Sequence, residues 1–125
     1  MEKPIIAFLV CLCLLTACQA KAEYHKISAD EAYKKMSESK DFILLDVRTE
    51  EEFSERHIEG AVLIPHLEIK ARAEKELPDK KKVILVYCRS GGRSAYASGE
   101  LVSLGYTKVY DIGGITDWPY QTISE

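Results

Sequence analysis

The sequence predicts one three-layer α/β/α domain built on a mainly parallel five-stranded sheet. Three observations carry that expectation. From residue 24 onward, short apolar runs alternate with helical patterns, the order of strands joined by helical crossovers. The best-defined runs are continuously apolar, as in strands covered on both faces. Asp46, Cys88 and Gly113-Gly114 each follow directly on such a run, at the strand ends beyond which sheets of this kind bind ligands.

Taken in order, Ser28-Ala29-Asp30-Glu31 has the spacing of a capping box, with Ser28 capping and Glu31 returning the bond. Behind it Ala29, Ala32, Tyr33 and Met36 fall at i, i+3, i+4 and i+7 and make one helical stripe. Phe42-Ile43-Leu44-Leu45 reads as a buried strand. Thr49-Glu50-Glu51-Glu52 repeats the capping-box spacing and opens a short helix that ends near Glu55. Ala61-Val62-Leu63-Ile64 is the next strand, closed by Pro65. A charged helix follows over residues 67–77, and Pro78 stops it. Val83-Ile84-Leu85-Val86-Tyr87, rich in β-branched residues, is the strongest strand and leads straight into Cys88. After Ser94, Ala97, Leu101 and Leu104 mark a helix face that Gly105 ends. Lys108-Val109-Tyr110-Asp111-Ile112 supplies a further strand, followed by Gly113-Gly114 and a short helical tail around Trp118. These runs place four of the five strands.

At 125 residues the chain has room for one domain, and 46% apolar with 30% charged residues describes a globular protein. A net charge of -3 excludes a nucleic-acid binder built on a basic field. The Lys80-Lys81-Lys82 run beside Pro78-Asp79 reads as a solvated turn. The four cysteines are unevenly placed: Cys11, Cys13 and Cys18 fall near the start, and Cys88 stands alone in the rest. With the leader removed, Cys88 has no second thiol for an internal disulfide. An odd cysteine of this kind is an intermolecular partner or a reactive thiol.

Residues 5–17 form one apolar run with Lys3 ahead of it, the length of a signal-peptide core and short of the roughly 20 residues of a spanning helix. Residues 1–17 therefore read as a signal peptide, and residues 24–120 as the single domain. Leu15-Thr16-Ala17-Cys18 resembles the bacterial lipobox, which implies cleavage before Cys18 and a lipid on it. Gln19 would then stand second, which by the same resemblance does not suggest the inner-membrane retention associated with Asp there. Ala20-Lys21-Ala22 offers an ordinary signal-peptidase site as the rival. The expected location is the bacterial cell envelope, periplasm or cell surface. Membrane attachment would be through the lipid, with no spanning helix.

The segment Cys88-Arg89-Ser90-Gly91-Gly92-Arg93-Ser94 joins a buried strand to a helix N-terminus. Adjacent glycines let the backbone take positive φ and approach a ligand closely. Successive N–H groups in such a turn form a nest for an anion, which the helix dipole reinforces. Arg89 and Arg93 add permanent positive charge. A thiol that starts near a pKa of about 8.5 falls to about 3.5–7.5 in such surroundings. The resulting thiolate attacks sulfur or phosphorus, and the same cradle holds a bound persulfide or oxyanion. Taken singly, these are a strand-ending cysteine and two surface arginines. Their combination at one turn points to chemistry.

The loop resembles the active-site loop of the rhodanese sulfurtransferases, C-R-x-G-x-R-[ST], at every fixed position. Leu45-Asp46-Val47-Arg48, Glu52-Phe53 and the stretch from His57 to Pro65 resemble that family's D-V-R…E-[FY]…H-I-x-G-A-x-x-I-P block, and Gly113-Gly114 with Trp118 its G-G…W close. The likeness spans about residues 24–118. One departure is Arg56, where a glycine often precedes the histidine.

The resemblance implies a rhodanese-like fold and a persulfide cycle. Cys88 would attack the outer sulfur of a small anionic donor such as thiosulfate, release sulfite, and pass the sulfur to cyanide or a thiol. By the same likeness Arg89 and Arg93 orient the donor, and the amides from Arg89 through Ser90, Gly91, Gly92 and Arg93 to Ser94 cradle the outer sulfur. Asp46 and Arg48 brace the loop. No metal or organic cofactor is required, and no nucleic acid is a partner. His57 is expected in a structural turn and Trp118 in packing, while Tyr96 and Tyr106 are candidates for the site entrance. His25 and His66 lack ligand-spaced partners.

Two rivals remain. A cysteine phosphatase or arsenate reductase would resemble C-x5-R, whereas four residues, Arg89 to Gly92, separate Cys88 from Arg93. The shorter loop suits a single sulfur atom better than a tetrahedral phosphate. The other rival is a lipid-anchored relay that delivers persulfide sulfur to a partner protein.

Overall fold

In a computed structural model, which describes residues 23–125, the apolar runs assemble into a five-stranded sheet whose neighbouring strands are all parallel. The expected leader, its two cleavage sites and Cys18 lie outside the described residues. The elements are β1 (His25–Lys26), α1 (Ala29–Glu38), β2 (Phe42–Asp46), α2 (Glu50–Glu55), β3 (Val62–Leu63), α3 (Ile69–Glu76), β4 (Val83–Cys88), α4 (Gly92–Ser103) and β5 (Val109–Gly114). The strand order β1-β5-β4-β2-β3 puts β4 at the centre.

That position follows from composition. Ile84, Leu85, Val86, Tyr87 and Cys88 are each no more than 1% exposed, and a strand apolar on both sides is stable only where both faces are covered. Alternation along the strands divides the interior in two. Leu45, Ile84, Val86, Cys88 and Val109 face one core with Ile69 and Ala73 of α3 and Ala97 and Leu101 of α4. Leu44, Leu85, Tyr87 and Ile112 face the other with Ala32 of α1, Ile58, Ile115 and Trp118.

The parallel register brings the strand ends to one rim. Asp46 lies beside Tyr87. Between β4 and β5 the register slips, Val86 facing Asp111 but Cys88 facing Gly114, so β5 carries an extra residue there. Such a bulge re-aims the chain locally. Here it lies beside Cys88.

The structure refines several expectations. The fifth strand is β1, two residues paired with Tyr110 and Asp111 of β5. Ser28 caps α1 by accepting the Glu31 N–H, while only at α2 do both bonds of a capping box form, between Thr49 and Glu52. β3 is shorter than residues 61–64, because it is an edge strand with one neighbour. The charged helix begins as a 3-10 turn over His66–Glu68 before α3. α4 starts at Gly92, inside the loop, and β5 runs on through both glycines. Among the described residues no helix is long and apolar enough to cross a membrane.

Candidate active site

β4 delivers Cys88 to the rim with its side chain turned inward, 1% exposed. The chain then reverses into α4 through Gly91, whose φ of 113° is in the left-handed region that favours glycine. That turn aims the Gly91 N–H at Cys88 Sγ, 3.0 Å away. Burial alone would push the thiol up. The side chain and amide of Ser94, with the Gly91 and Ser90 amides, outweigh burial and hold it below the ordinary thiol range. The sulfur therefore sits among donors that favour its thiolate form.

The loop is anchored from behind. Thr116 gives both its N–H and its hydroxyl to the Arg89 carbonyl, at 3.2 and 3.0 Å. Gly114 approaches the loop so closely that a Cβ there would lie 2.2 Å from the Arg89 oxygen. Ser94 is fully buried and donates to Asp111 Oδ1 at 2.8 Å, and the same carboxylate oxygen accepts the Gly113 N–H at 2.9 Å. Asp111 thereby ties the bulge of β5 to the first turn of α4.

The two loop arginines part company. Arg89 is exposed. Arg93, expected to face an anionic donor, is engaged instead by Glu52, with Nη1–Oε1 at 2.6 Å and Nη2–Oε2 at 2.9 Å. The Arg93 guanidinium holds the Glu52 carboxyl down to about 2. An arginine clamped in this way is not free to grip a tetrahedral oxyanion, phosphate and thiosulfate alike.

Asp46 and Arg48, expected to brace the loop, bond elsewhere. Asp46 accepts the Arg48 N–H and its guanidinium, closest at 2.7 Å, and Arg48 Nη2 donates to the Arg56 carbonyl at 2.6 Å. The pair ties β2 to the end of α2. Among the described residues, the side chains outside the loop that hydrogen-bond to it are those of Glu52, Asp111 and Thr116. Glu52 was visible in sequence as half of a capping box and in the E-[FY] pair of the family block, with no role at the loop, and Asp111 only as part of a strand. A carboxylate inside an apolar strand was the one available signal for Asp111.

Beside the loop lies a cleft of about 260 Å³ lined by Arg48, Glu52, Arg56, Arg89 and Thr116. Arg56 occupies its place without strain, since its φ of -166° is extended backbone that any residue adopts. His57 is 4% exposed, bonded through Nδ1 to the Phe53 carbonyl at 2.7 Å and stacked on the Phe53 ring. Trp118 packs in the α1-side core. Of the two entrance candidates, Tyr96 is 50% exposed on α4, whereas Tyr106 is fully buried and donates to the Leu77 carbonyl. Tyr106 is a core residue.

Comparison with known proteins bears on the family and the fold. Residues 28–120 match the family model of the rhodanese-like domain. The chain is 40% identical over 73 residues to thiosulfate sulfurtransferase PspE of Escherichia coli K12, covering 58% of this chain and 70% of that protein. It is 34% identical over 96 residues to thiosulfate sulfurtransferase GlpE of Coxiella burnetii, covering 76% and 87%. Among solved structures, a rhodanese with anions from E. coli superposes with a TM-score of 0.63 at 35% identity, over 66% of this chain and 98% of that one. A rhodanese-related protein of Thermoplasma volcanium superposes with a TM-score of 0.70 at 30% identity, over 82% and 100%.

Proposed function

The chain belongs to the rhodanese-like domain family, and on that premise we propose that it is a sulfurtransferase carrying sulfane sulfur as a persulfide on Cys88. One observation supports the reading above others: a buried sulfur held below the ordinary thiol range by the Ser94 side chain and the loop amides, with the Gly91 N–H at 3.0 Å. The Cys88 thiolate attacks the outer sulfur of thiosulfate, the S–S bond of the donor breaks, and sulfite leaves with the electron pair. The persulfide keeps one negative charge on its outer sulfur, which the amides that held the thiolate would stabilise. Cyanide or a thiolate then takes that sulfur, giving thiocyanate or a new persulfide and restoring Cys88. Arg89 is the exposed cation that would meet the donor at the loop.

The acceptor has a second reading, the thiol of a partner protein. Tyr96 and Leu67, 50% and 74% exposed, are large apolar side chains beyond the strand ends and favour it. The leader sequence supports attachment at the bacterial envelope through lipid on Cys18. An unmodified N-terminus at Glu23 in the mature protein, read by mass spectrometry, would refute the lipid.

The test is thiosulfate:cyanide turnover of wild type and Cys88→Ser, with intact mass after thiosulfate alone. Turnover and the added mass of one sulfur atom are expected in wild type, and neither in the variant. Activity surviving in Cys88→Ser overturns the proposal. Negligible cyanide turnover beside full persulfide formation selects the relay.

A further inference from the structure

The cleft beside the Cys88 loop carries more charge than the loop chemistry uses. Arg48, Arg56, Arg89, Glu52 and Glu55 all line it. Some of that charge is already paired, Arg48 with Asp46 at 2.7 Å and Glu52 with Arg93 at 2.6 Å. Arg56, Arg89 and Glu55 are exposed and enter no ion pair among the described residues. The cleft therefore offers two free guanidinium groups against one free carboxylate. Arg89 is the cation at the sulfur carrier itself, which leaves Arg56 without a task.

The fold does not call on the Arg56 side chain. Its N–H donates to the Glu52 carbonyl and its carbonyl accepts Arg48 Nη2 at 2.6 Å, both main-chain bonds that any residue can make. It also stands where the chain departs from the family block, at a position where a glycine often precedes the histidine. An exposed arginine is commonly no more than a solvated charge. Arg56 differs in sharing a concave site with a second unpaired arginine, and that second arginine directly follows Cys88. Thr116, on the same wall, fastens the Arg89 carbonyl through its N–H and its hydroxyl. Glu52 holds Arg93 at the other end of the loop, so the cleft borders the loop that would bear the persulfide.

We propose that this cleft receives the sulfur acceptor, and that Arg56 with Arg89 selects a small thiol that carries carboxylates. The proposal rests on the sulfurtransferase reading and narrows its acceptor. Guanidinium groups bind carboxylates through paired N–H donors, which a neutral thiol cannot engage. The volume of about 260 Å³ falls below the roughly 300–1,000 Å³ of sites for drug-sized ligands and suits a thiol of a few carbon atoms. The acceptor thiolate attacks the outer sulfur of the Cys88 persulfide, and the S–S bond breaks. Cys88 leaves as a thiolate and the acceptor departs as a persulfide anion, so charge is conserved.

The full chain is loaded with thiosulfate, freed of excess donor, and its persulfide is quantified by intact mass. Discharge is then timed with mercaptosuccinate and with 2-mercaptoethanol at equal thiolate concentration, in wild type and Arg56→Gln. Comparing only the ratio of the two rates cancels intrinsic thiol reactivity and differences in loading. Arg56→Gln is expected to lower that ratio about fivefold, the upper end for a partly exposed ion pair. An unchanged ratio overturns the proposal. A second measurement needs no sulfur transfer: (methylthio)succinate, which keeps the carboxylates but has no thiol, is titrated into the unloaded chain and followed by NMR. It is expected to bind wild type and to bind Arg56→Gln severalfold more weakly. Absence of binding to wild type, or equal binding to both, overturns the proposal. Failure of wild type to form a persulfide would instead overturn the reading of Cys88, and the titration would still decide the cleft.

Discussion

Cys88 owes its acidity to where a strand stops. Desolvation opposes the thiolate, and hydrogen bonds from Ser94, Gly91 and Ser90 overcome it. Since the folded thiol lies below its unfolded value, it adds stability above the unfolded value near about pH 8.5, and loses that contribution as pH falls through the folded value. Once corrected for exposure, iodoacetamide should therefore modify Cys88 in the folded chain faster than in the urea-unfolded chain at pH values well below about 8.5. Equal rates there, after correction for exposure, would mean an unperturbed thiol. Glu52 offers a second test at this scale. In Glu52→Gln the neutral amide keeps the cap on α2 but no longer neutralises Arg93. The KM for thiosulfate should fall severalfold with a stability cost of about 1 kcal/mol or less, as for a partly exposed ion pair. A rise in KM would assign the Glu52–Arg93 bond to loop geometry instead. Neither Glu52 nor Asp111 was legible as part of the site, because each reaches the loop across the fold, Glu52 over 41 residues of chain and Asp111 over 17. The loop itself was legible because its chemistry is local, from Cys88 to Ser94.

At the scale of elements, two glycines separate strain from collision. Gly91 sits at φ 113° with nothing within 4 Å of a Cβ, so Gly91→Ala meets only backbone strain of about 1–2 kcal/mol. At Gly114 the Cβ would lie 2.2 Å from the Arg89 oxygen and 2.6 Å from Ser90 Cα, both backbone, so strand and loop must separate. Gly114→Ala should lower kcat/KM at least about a hundredfold, since misplacing reacting groups by about 1 Å costs that much. Gly91→Ala should act mainly through stability, unless relief of its turn also withdraws the Gly91 N–H from the sulfur. Turnover and urea midpoints of both variants distinguish these outcomes. The same scale shows why strands of very different visibility coexist here. β4 is written in six residues of apolar sequence, whereas β1 is only His25–Lys26, exposed and held by pairing with Tyr110 and Asp111. No composition signal marks two polar residues as a strand. β5 supplies that signal from 85 positions away.

Across the whole molecule, the sheet separates two cores, and the site lies at the C-terminal ends of the central strands. Fold class was legible because burial of β2 and β4 on both faces demands helices on each side. What holds the rim together was less so, and the Asp46–Arg48 pair shows why. The sequence likeness assigns the pair to bracing the loop. Its bonds run to itself and to the Arg56 carbonyl, with Arg48 and Asp46 side chains 5% and 0% exposed. Removing one member of a buried pair strands the other and costs about 3–5 kcal/mol, whereas replacing both by apolar groups costs far less. Asp46→Ala should therefore lower the urea midpoint sharply at an unchanged slope, and adding Arg48→Met should recover at least half of the loss. The midpoint of Cys88 alkylation, measured on the folded single variant, should stay within half a pH unit of wild type, because the sulfur's donors come from the loop backbone and Ser94. If that midpoint instead moves by a unit or more while stability is restored in the double variant, the pair acts on the cysteine directly, and scaffold and site cannot be separated at β2.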